Sequence, residues 1–170
     1  MKNFLKYSLP KILIIFCVLA LDLLTKHLFY GVNQNFIPNL IGFRDCTLNT
    51  GGAWSVLSGN VILLAVITAI FVIAAAIFDI FFKNKSKLYT VSFAFILGGA
   101  VGNLIDRIFL GGVRDFIFFE FMPNFPTFNV ADSFLCIGFV LLVNFVLIDY
   151  KSKDKTDNAT KDKKIEKTEK

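Results

Sequence analysis

Four long apolar runs constrain the fold of this chain more than any other feature of its sequence. Each is close to the roughly 20 residues that a helix needs to cross the hydrocarbon core of a bilayer. The runs predict membrane spans over residues 11–30, 61–82, 88–110 and 130–150. The chain has 170 residues, 55% of them hydrophobic, and includes 21 Phe, a composition that favours a membrane protein over a soluble domain. We therefore predict an all-α integral membrane protein with four transmembrane helices.

The first span is the weakest of the four by hydropathy, because Asp22 and Lys26 interrupt its outer third. The N-terminus also resembles a secretory signal peptide, since Lys2 and Lys6 precede an apolar run. No convincing small-x-small cleavage site follows that run, however. We therefore interpret the segment as a retained first helix.

The distribution of lysines predicts the orientation in the membrane. Lysines precede the first span, separate the second from the third and follow the fourth, whereas the connections 31–60 and 111–129 carry only Arg44 and Arg114. By the positive-inside rule both termini should be cytoplasmic and these two connections extracytoplasmic. We expect a small β element within the first connection, and an interfacial loop or short helix at Phe116–Phe128.

The basic charge of the chain is concentrated at its C-terminal end. The formal net charge is +5, and residues 151–170 supply +3 of it through eight Lys against five Asp and Glu. We therefore expect no nucleic-acid surface. Residues 1–150 are predicted to form one membrane domain, and residues 151–170 a disordered cytoplasmic tail. Attraction of this tail to anionic lipid headgroups is an alternative.

The cysteine and histidine content argues against metal and disulfide chemistry. Cys17 and Cys136 fall within apolar spans, and Cys46 has no obvious partner, so no disulfide framework or C-x-x-C site can be built. The single histidine, His27, excludes an H-E-x-x-H zinc protease and a serine nucleophile paired with a histidine elsewhere. We expect no metal and no cofactor.

Asp115 and Asp132 are the candidate reactive groups, because each lies in a short polar motif at the mouth of an apolar span. An ionised carboxylate forced to the bilayer centre costs about 2–3 kcal/mol, so such residues are usually paired or functional. Asn129 and Asp132 have the spacing of a helix cap, whereas desolvation by neighbouring aromatic residues should raise the pKa of Asp115. A pair with one protonated and one ionised carboxyl group suits general acid–base hydrolysis.

Further polar residues gather near the same end of the predicted bundle. Asn103, Asp106 and Arg107 share one face of the third helix. Polar groups at this depth usually face an interior or a cavity, which favours a functional role for Asn103 and Arg107. Asp22 and Lys26 stand four residues apart and can neutralise each other, so a structural clamp is favoured over direct chemistry.

Five blocks of the sequence together resemble lipoprotein signal peptidase, the signal peptidase II family of bacterial inner-membrane aspartyl proteases. Any one block would be a weak signal, whereas five in family order together with four spans are a strong one. The blocks are Asp22–Lys26, Asn49–Ser55, Gly98–Arg107, Val113–Phe116 and Phe128–Ser133.

This resemblance implies that the chain removes the signal peptide of a prolipoprotein by hydrolysis before a diacylglyceryl-modified cysteine. It implies that Asp115 and Asp132 form the catalytic dyad, and that Asn103 and Arg107 contact substrate or globomycin-class inhibitors. It also implies a small extracytoplasmic sheet, a short outer helix and a site near the extracytoplasmic face of the bacterial inner membrane. We expect a monomer that contacts membrane lipid. The residues expected to bind substrate or support the site are Asn49, Asn103, Arg107 and Asn129, and those with a structural polar role are Asp22, Lys26 and Asp106.

Two other classes of function are compatible with the polar residues. A small proton-coupled carrier could use Asp22, Asp106, Asp115 and Asp132 as a relay, but a relay would place carboxylates at several depths. A structural membrane scaffold could use the same aspartates only as caps and ion pairs. Conservative Asp→Asn changes separate these alternatives, because a protease loses turnover whereas a scaffold mainly loses stability.

Overall fold

The described part of the chain forms four helices and one small sheet. The computed structural model describes residues 8–52, 54, 56–82 and 86–168, with side chains as far as Ser152. The element bounds, in chain order, are α1 Leu9–Leu28, β1 Gln34–Ile37, β2 Ile41–Asn49, α2 Val61–Phe81, α3 Lys87–Leu110, β3 Val113–Phe119 and α4 Val130–Thr168.

Three of the described helices are long and apolar enough to cross a membrane. They are α2, α3 and the first part of α4, Val130–Ser152, and they coincide with three of the predicted spans. The helix α1 also forms where a span was predicted, but Lys11, Asp22 and Lys26 lower its apolar character. A fourth transmembrane span at α1 therefore stays a prediction.

The helix α3 occupies the centre of the molecule and packs against all three other helices. Ser86 caps its start by accepting a hydrogen bond from the backbone N of Tyr89 at 3.1 Å. Gly111 follows its end in the left-handed conformation (φ 71°), which glycine adopts at no steric cost. Tyr89, Phe93 and Leu97 of α3 form the buried core together with Phe145 of α4.

The three strands form one antiparallel sheet in the order β1-β2-β3. In the pairing of β2 with β3, Thr47 lies opposite Asp115 and Asn49 opposite Val113. This sheet confirms the expected β element, but β3 was not predicted. Residues 116–119 had been assigned to an interfacial loop or short helix and instead belong to β3, because their backbone pairs with β2.

The segment that leads into α4 is tied to β3 by backbone hydrogen bonds. The carbonyl of Phe128 accepts from the backbone N of Phe116 at 3.1 Å and of Ile117 at 2.9 Å, and the N of Phe128 donates to Ile117 at 2.9 Å. Asn129 and the start of α4 are therefore held beside Asp115. The fold in this way joins two motifs that are separate in the sequence.

The C-terminal segment differs from the prediction of disorder. The helix α4 continues as far as Thr168, although no side chain after Ser152 is described. The division into a membrane domain (1–150) and a tail (151–170) stays a prediction. Of the lysines used to predict orientation, Lys2, Lys6, Lys83 and Lys85 lie outside the described residues.

Candidate active site

Asp115 lies in the middle of β3 and is 3% exposed. Its Oδ2 accepts a hydrogen bond from the side-chain amide of Asn49 at 2.9 Å, and its Oδ1 accepts one from the amide of Asn129 at 2.8 Å. Burial, followed by the negative charge of Asp132, raises the pKa of Asp115 to about 7, while the two amide hydrogen bonds and Lys26 act in the opposite direction. The expected upward shift of this pKa is confirmed.

Asp132 lies in the first turn of α4 and forms a reciprocal capping box with Asn129. The side-chain oxygen of Asn129 accepts from the backbone N of Asp132 at 2.8 Å, and Asp132 Oδ2 accepts from the backbone N of Asn129 at 3.2 Å. The predicted helix cap is therefore present. Asp132 Oδ1 also accepts from the side-chain amide of Asn103 at 2.7 Å.

Asn129 connects the two aspartates directly. It is fully buried, donates its side-chain N–H to Asp115 and exchanges two hydrogen bonds with Asp132. The same side-chain nitrogen also lies 3.1 Å from Asn103 Oδ1. Asn129 thus holds both carboxylates, Asp115 through its side-chain amide and Asp132 through its backbone N–H.

A buried cluster of alternating charges lies behind these residues. Lys26 and Asp22 pair at 2.8 Å, and both are 0% exposed, so the expected ion pair is confirmed. Asp106 contacts Lys26 at 3.2 Å and Arg114 at 2.8 Å. Asp22 Oδ1 accepts from the backbone N of Ala131 at 2.9 Å, which ties α1 to the start of α4.

Two adjacent polar residues of α3, Asp106 and Arg107, have different partners. Asp106 pairs with Arg114 and Lys26 and not with its neighbour in the chain, Arg107. The backbone N of Arg114 also donates to Asp106 at 3.0 Å. Arg107 donates to the carbonyl of Gly51 at 3.3 Å, and its buried Nε has no hydrogen-bond partner within the described part of the chain.

The two aspartates and Arg107 line one cavity of about 500 Å³. Asn49 and Asn103 also line this cavity, whereas Asn129 does not line it and hydrogen-bonds to both aspartates. The remaining lining is largely apolar and includes Trp54, Val113, Phe119, Phe125, Phe128, Leu135 and Cys136. Trp54 and Phe125 contact each other edge to face with ring centroids 6.0 Å apart.

Sequence reasoning did not identify the role of Arg114 or the contact between Lys26 and Asn103. Arg114 and Asp115 are neighbours on a strand, so their side chains point to opposite faces. Recognition of β3 in the sequence would therefore have predicted different roles for the two residues. Lys26 Nζ donates to Asn103 Oδ1 at 3.1 Å across 77 residues of sequence. Such a distant contact leaves no local pattern.

Comparison with known proteins gives concordant matches. Residues 14–148 match the family described as signal peptidase (SPase) II. The lipoprotein signal peptidase of Enterococcus faecalis (strain ATCC 700802 / V583) is 39% identical over 140 residues, which are 81% of this chain and 84% of that protein.

Two solved structures, both described as bacterial membrane enzymes, share the fold. The first superposes with a TM-score of 0.77 at 34% identity and covers 85% of this chain and 91% of its own. The second has a TM-score of 0.72 at 34% identity and covers 81% and 92%. With the family match over most of the chain, these likenesses identify a membrane enzyme. The chain therefore belongs to the signal peptidase II family of aspartic peptidases, which remove signal peptides from prolipoproteins.

Proposed function

We propose that Asp115 and Asp132 are the catalytic dyad of this peptidase and hydrolyse the peptide bond that precedes a diacylglyceryl-modified cysteine. The observation that carries the proposal is the bridging of both carboxylates by Asn129 at the edge of one cavity. A peptide carbonyl and a water molecule can be activated together only if two acid–base groups reach the same space.

The dyad begins the reaction with one shared proton. We assign this proton to Asp115, because burial and the charge of Asp132 raise the pKa of Asp115 to about 7. We assign the negative charge to Asp132, because its carboxylate accepts hydrogen bonds from Asn103 and from the backbone N of Asn129 and lies in the first turn of α4, where the helix dipole favours negative charge. A closely coupled pair titrates as a unit, so this assignment describes the predominant starting form.

The hydrolysis then proceeds through a tetrahedral intermediate. Asp132 accepts a proton from a water molecule, the water oxygen attacks the scissile carbonyl carbon, and Asp115 donates its proton to the carbonyl oxygen. As the intermediate collapses, Asp132 donates the proton it accepted to the leaving amine. Asp115 recovers a proton from the intermediate's hydroxyl group, which becomes part of the new carboxyl group.

The residues around the dyad would contact the substrate. Arg107 offers the N–H of its buried Nε to a carbonyl oxygen of the substrate, which supports a positioning role in the cavity. The apolar wall formed by Phe128, Leu135 and Cys136 provides a surface for the acyl chains of the lipidated cysteine. Globomycin-class inhibitors would occupy the same space.

We place the dyad near the extracytoplasmic face, with four spans and both termini in the cytoplasm. The lysine distribution supports this orientation, and so does the position of the sheet at the end of α3 away from Lys87. The site would then lie at the level where a signal peptide anchored in the membrane joins its exported domain. We expect the protein to act as a monomer.

A proton-coupled carrier is the alternative from another class. A relay needs titratable groups at successive depths, whereas the apolar middle of each helix, residues 12–21, 62–78, 88–105 and 133–148, contains no Asp or Glu. Asp22, Asp106, Asp115 and Asp132 instead gather at one end of the bundle. This grouping favours hydrolysis at a surface over transfer across the bilayer.

The test is to identify the products made by the purified protein from a prolipoprotein with a diacylglyceryl-modified cysteine. Mass spectrometry should find a free signal peptide and a mature protein beginning with the lipidated cysteine. The same substrate without lipid tests whether lipidation is required. An intact substrate, together with proton flux into proteoliposomes, would overturn the proposal in favour of the carrier.

A further inference from the structure

We propose that Lys26 is a positioning residue for the reaction, whose ammonium group fixes the orientation of the Asn103 amide that hydrogen-bonds to Asp132. The inference rests on the proposed role of Asp115 and Asp132 as the dyad. It differs from a structural clamp, the role that the sequence favours for Lys26. Lys26 does not itself line the cavity, and neither of its side-chain hydrogen bonds goes to an aspartate of the dyad.

The ammonium group of Lys26 contacts three side chains. Its Nζ lies 2.8 Å from Asp22 Oδ2, 3.1 Å from Asn103 Oδ1 and 3.2 Å from Asp106 Oδ2. The side chain is 0% exposed, so no water competes for these contacts. Two of these contacts, those with Asp22 and Asn103, are hydrogen bonds, and the contact with Asp106 is an ion pair.

The contact with Asn103 decides which end of its side-chain amide faces Asp132. Asn103 Oδ1 accepts from Lys26 and from the Asn129 amide, both at 3.1 Å, so the NH₂ end is directed to Asp132 Oδ1 at 2.7 Å. The opposite orientation would place NH₂ against two donors and a carbonyl against a carboxylate. The hydrogen bond from a charged donor is the stronger of the two that hold the amide.

Asp22, the partner of Lys26, also binds the backbone beside Asp132. While its Oδ2 pairs with Lys26, its Oδ1 accepts from the N of Ala131, the residue that precedes Asp132. Gly102, which precedes Asn103, leaves room for this carboxylate, because a Cβ there would lie 2.6 Å from Asp22 Oδ2. The buried ion pair thus contacts the side chain of Asn103, which hydrogen-bonds to Asp132, and the backbone N of Ala131, which precedes Asp132.

Removal of Lys26 alone would not test the proposal, because it would leave the buried charge of Asp22 unpaired and destabilise the fold. The charge-balanced variant Asp22→Asn/Lys26→Met avoids this difficulty. Asn at position 22 retains an acceptor for Ala131, and Asp106 keeps Arg114 as its partner. A neutral replacement of a buried ion pair can leave stability nearly unchanged, so a purely structural pair predicts near-normal turnover in the folded double variant.

The matched control is Lys11→Met/Asp79→Asn, which removes an ion pair between buried Lys11 and half-buried Asp79 at the other end of the bundle. Both double variants are assayed for kcat, KM and melting temperature with the lipidated prolipoprotein. We expect Asp22→Asn/Lys26→Met to lower kcat by about 10- to 100-fold, the scale of small misplacements of catalytic groups. Its KM should stay within about two-fold, because the substrate contacts remain. The control should keep the kcat of the wild type.

Three additional variants make the outcome specific to Asn103. Combining Asp22→Asn/Lys26→Met with Asn103→Ala should lower kcat no further than Asn103→Ala does alone, because both changes remove the same hydrogen bond. Asp22→Asn/Lys26→Gln, which restores an N–H donor without charge, should recover part of the lost kcat. If Asp22→Asn/Lys26→Met does not fold, the kcat of Asp22→Asn/Lys26→Gln is compared with that of the wild type instead.

Normal kcat in the folded Met variant, losses that multiply with Asn103→Ala, or a Gln variant no better than Met would each overturn the proposal. Asp115→Asn separates its failure from failure of the proposed dyad. If Asp115→Asn is inactive while Asp22→Asn/Lys26→Met is fully active, only the role of Lys26 is wrong. If folded Asp115→Asn retains turnover, the dyad itself is wrong.

Discussion

The environment of Asp115 explains how a carboxyl group can remain protonated near neutral pH. Its pKa is raised to about 7, chiefly by burial and then by the charge of Asp132, whereas the amide of Asn49 lowers it. If Asp115 donates a proton in the first step, kcat should fall as the pH rises through about 7. The midpoint of this alkaline loss of kcat reports the pKa at which the dyad gives up its proton.

Replacement of Asn49 with Ala should move that alkaline loss to higher pH. The substitution removes a hydrogen bond to the ionised form of Asp115, so the pKa of Asp115 rises above about 7 and the protonated form persists further. A pH–rate profile of the variant measures this shift. An alkaline loss at unchanged or lower pH would contradict the assigned protonation.

The same shift predicts how stability depends on pH. Folding raises the pKa of Asp115 from 3.8 to about 7, so the folded state binds this proton more tightly than the unfolded state does. The contribution to stability is complete below pH 4 and is lost as the pH rises through about 7. The melting temperature of Asp115→Asn relative to wild type should therefore increase between pH 4 and 7 and then level off. A constant difference would contradict the assignment.

At the scale of elements, the close approach of α3 and α4 sets the position of Asp132. A Cβ on Gly99 would lie 2.5 Å from the carbonyl oxygen of Ala131 and 2.8 Å from Leu135 Cγ. Gly99→Ala should therefore separate the two helices and displace the first turn of α4. We expect kcat to fall by at least about ten-fold, together with a lower melting temperature.

Gly52→Ala is the matched control for this substitution. A Cβ on Gly52 would meet only the carbonyl of Val56, at an ordinary 3.6 Å, so activity and melting temperature should stay close to those of the wild type. Equal losses in the two variants would show that sensitivity to an added methyl group does not depend on helix packing.

The elements differ in how far the sequence determines them. The spans at 61–82 and 88–110 correspond to helices at Val61–Phe81 and Lys87–Leu110, because a long apolar run has few alternatives in a membrane. The strand β3 was missed, because its pairing partner β2 lies far earlier in the sequence and its Phe residues equally suit an interfacial loop. The cap at Asn129 was predictable, whereas the bridge from Asn129 to Asp115 required the tertiary fold.

At the scale of the whole molecule, α2 is attached mainly at one end. None of its residues is buried, and Asp79 near its end contacts both Lys11 of α1 and the hydroxyl of Tyr89, the latter at 3.0 Å. Asp79→Asn should lower the melting temperature, because Lys11 loses a charged partner, while kcat changes less than about three-fold. Loss of turnover without loss of stability would contradict this separation of roles.

The predicted orientation can be tested by chemical labelling in whole cells. In a variant without Cys17, Cys46 and Cys136, a cysteine replacing Leu40 in the turn between β1 and β2 should react with a membrane-impermeant maleimide. A cysteine replacing Lys151 should react only after the membrane is made permeable. The reverse pattern would place the site on the cytoplasmic side.

The most direct test of the account is turnover of a lipidated prolipoprotein by Asp115→Asn, Asp132→Asn and the double variant, each with its melting temperature. Because the two carboxylates act as a unit, we predict that each folded single variant loses at least about 10³-fold in kcat and that the double variant loses little more. Near-normal turnover in either folded single variant, or losses that multiply in the double variant, would contradict a shared dyad.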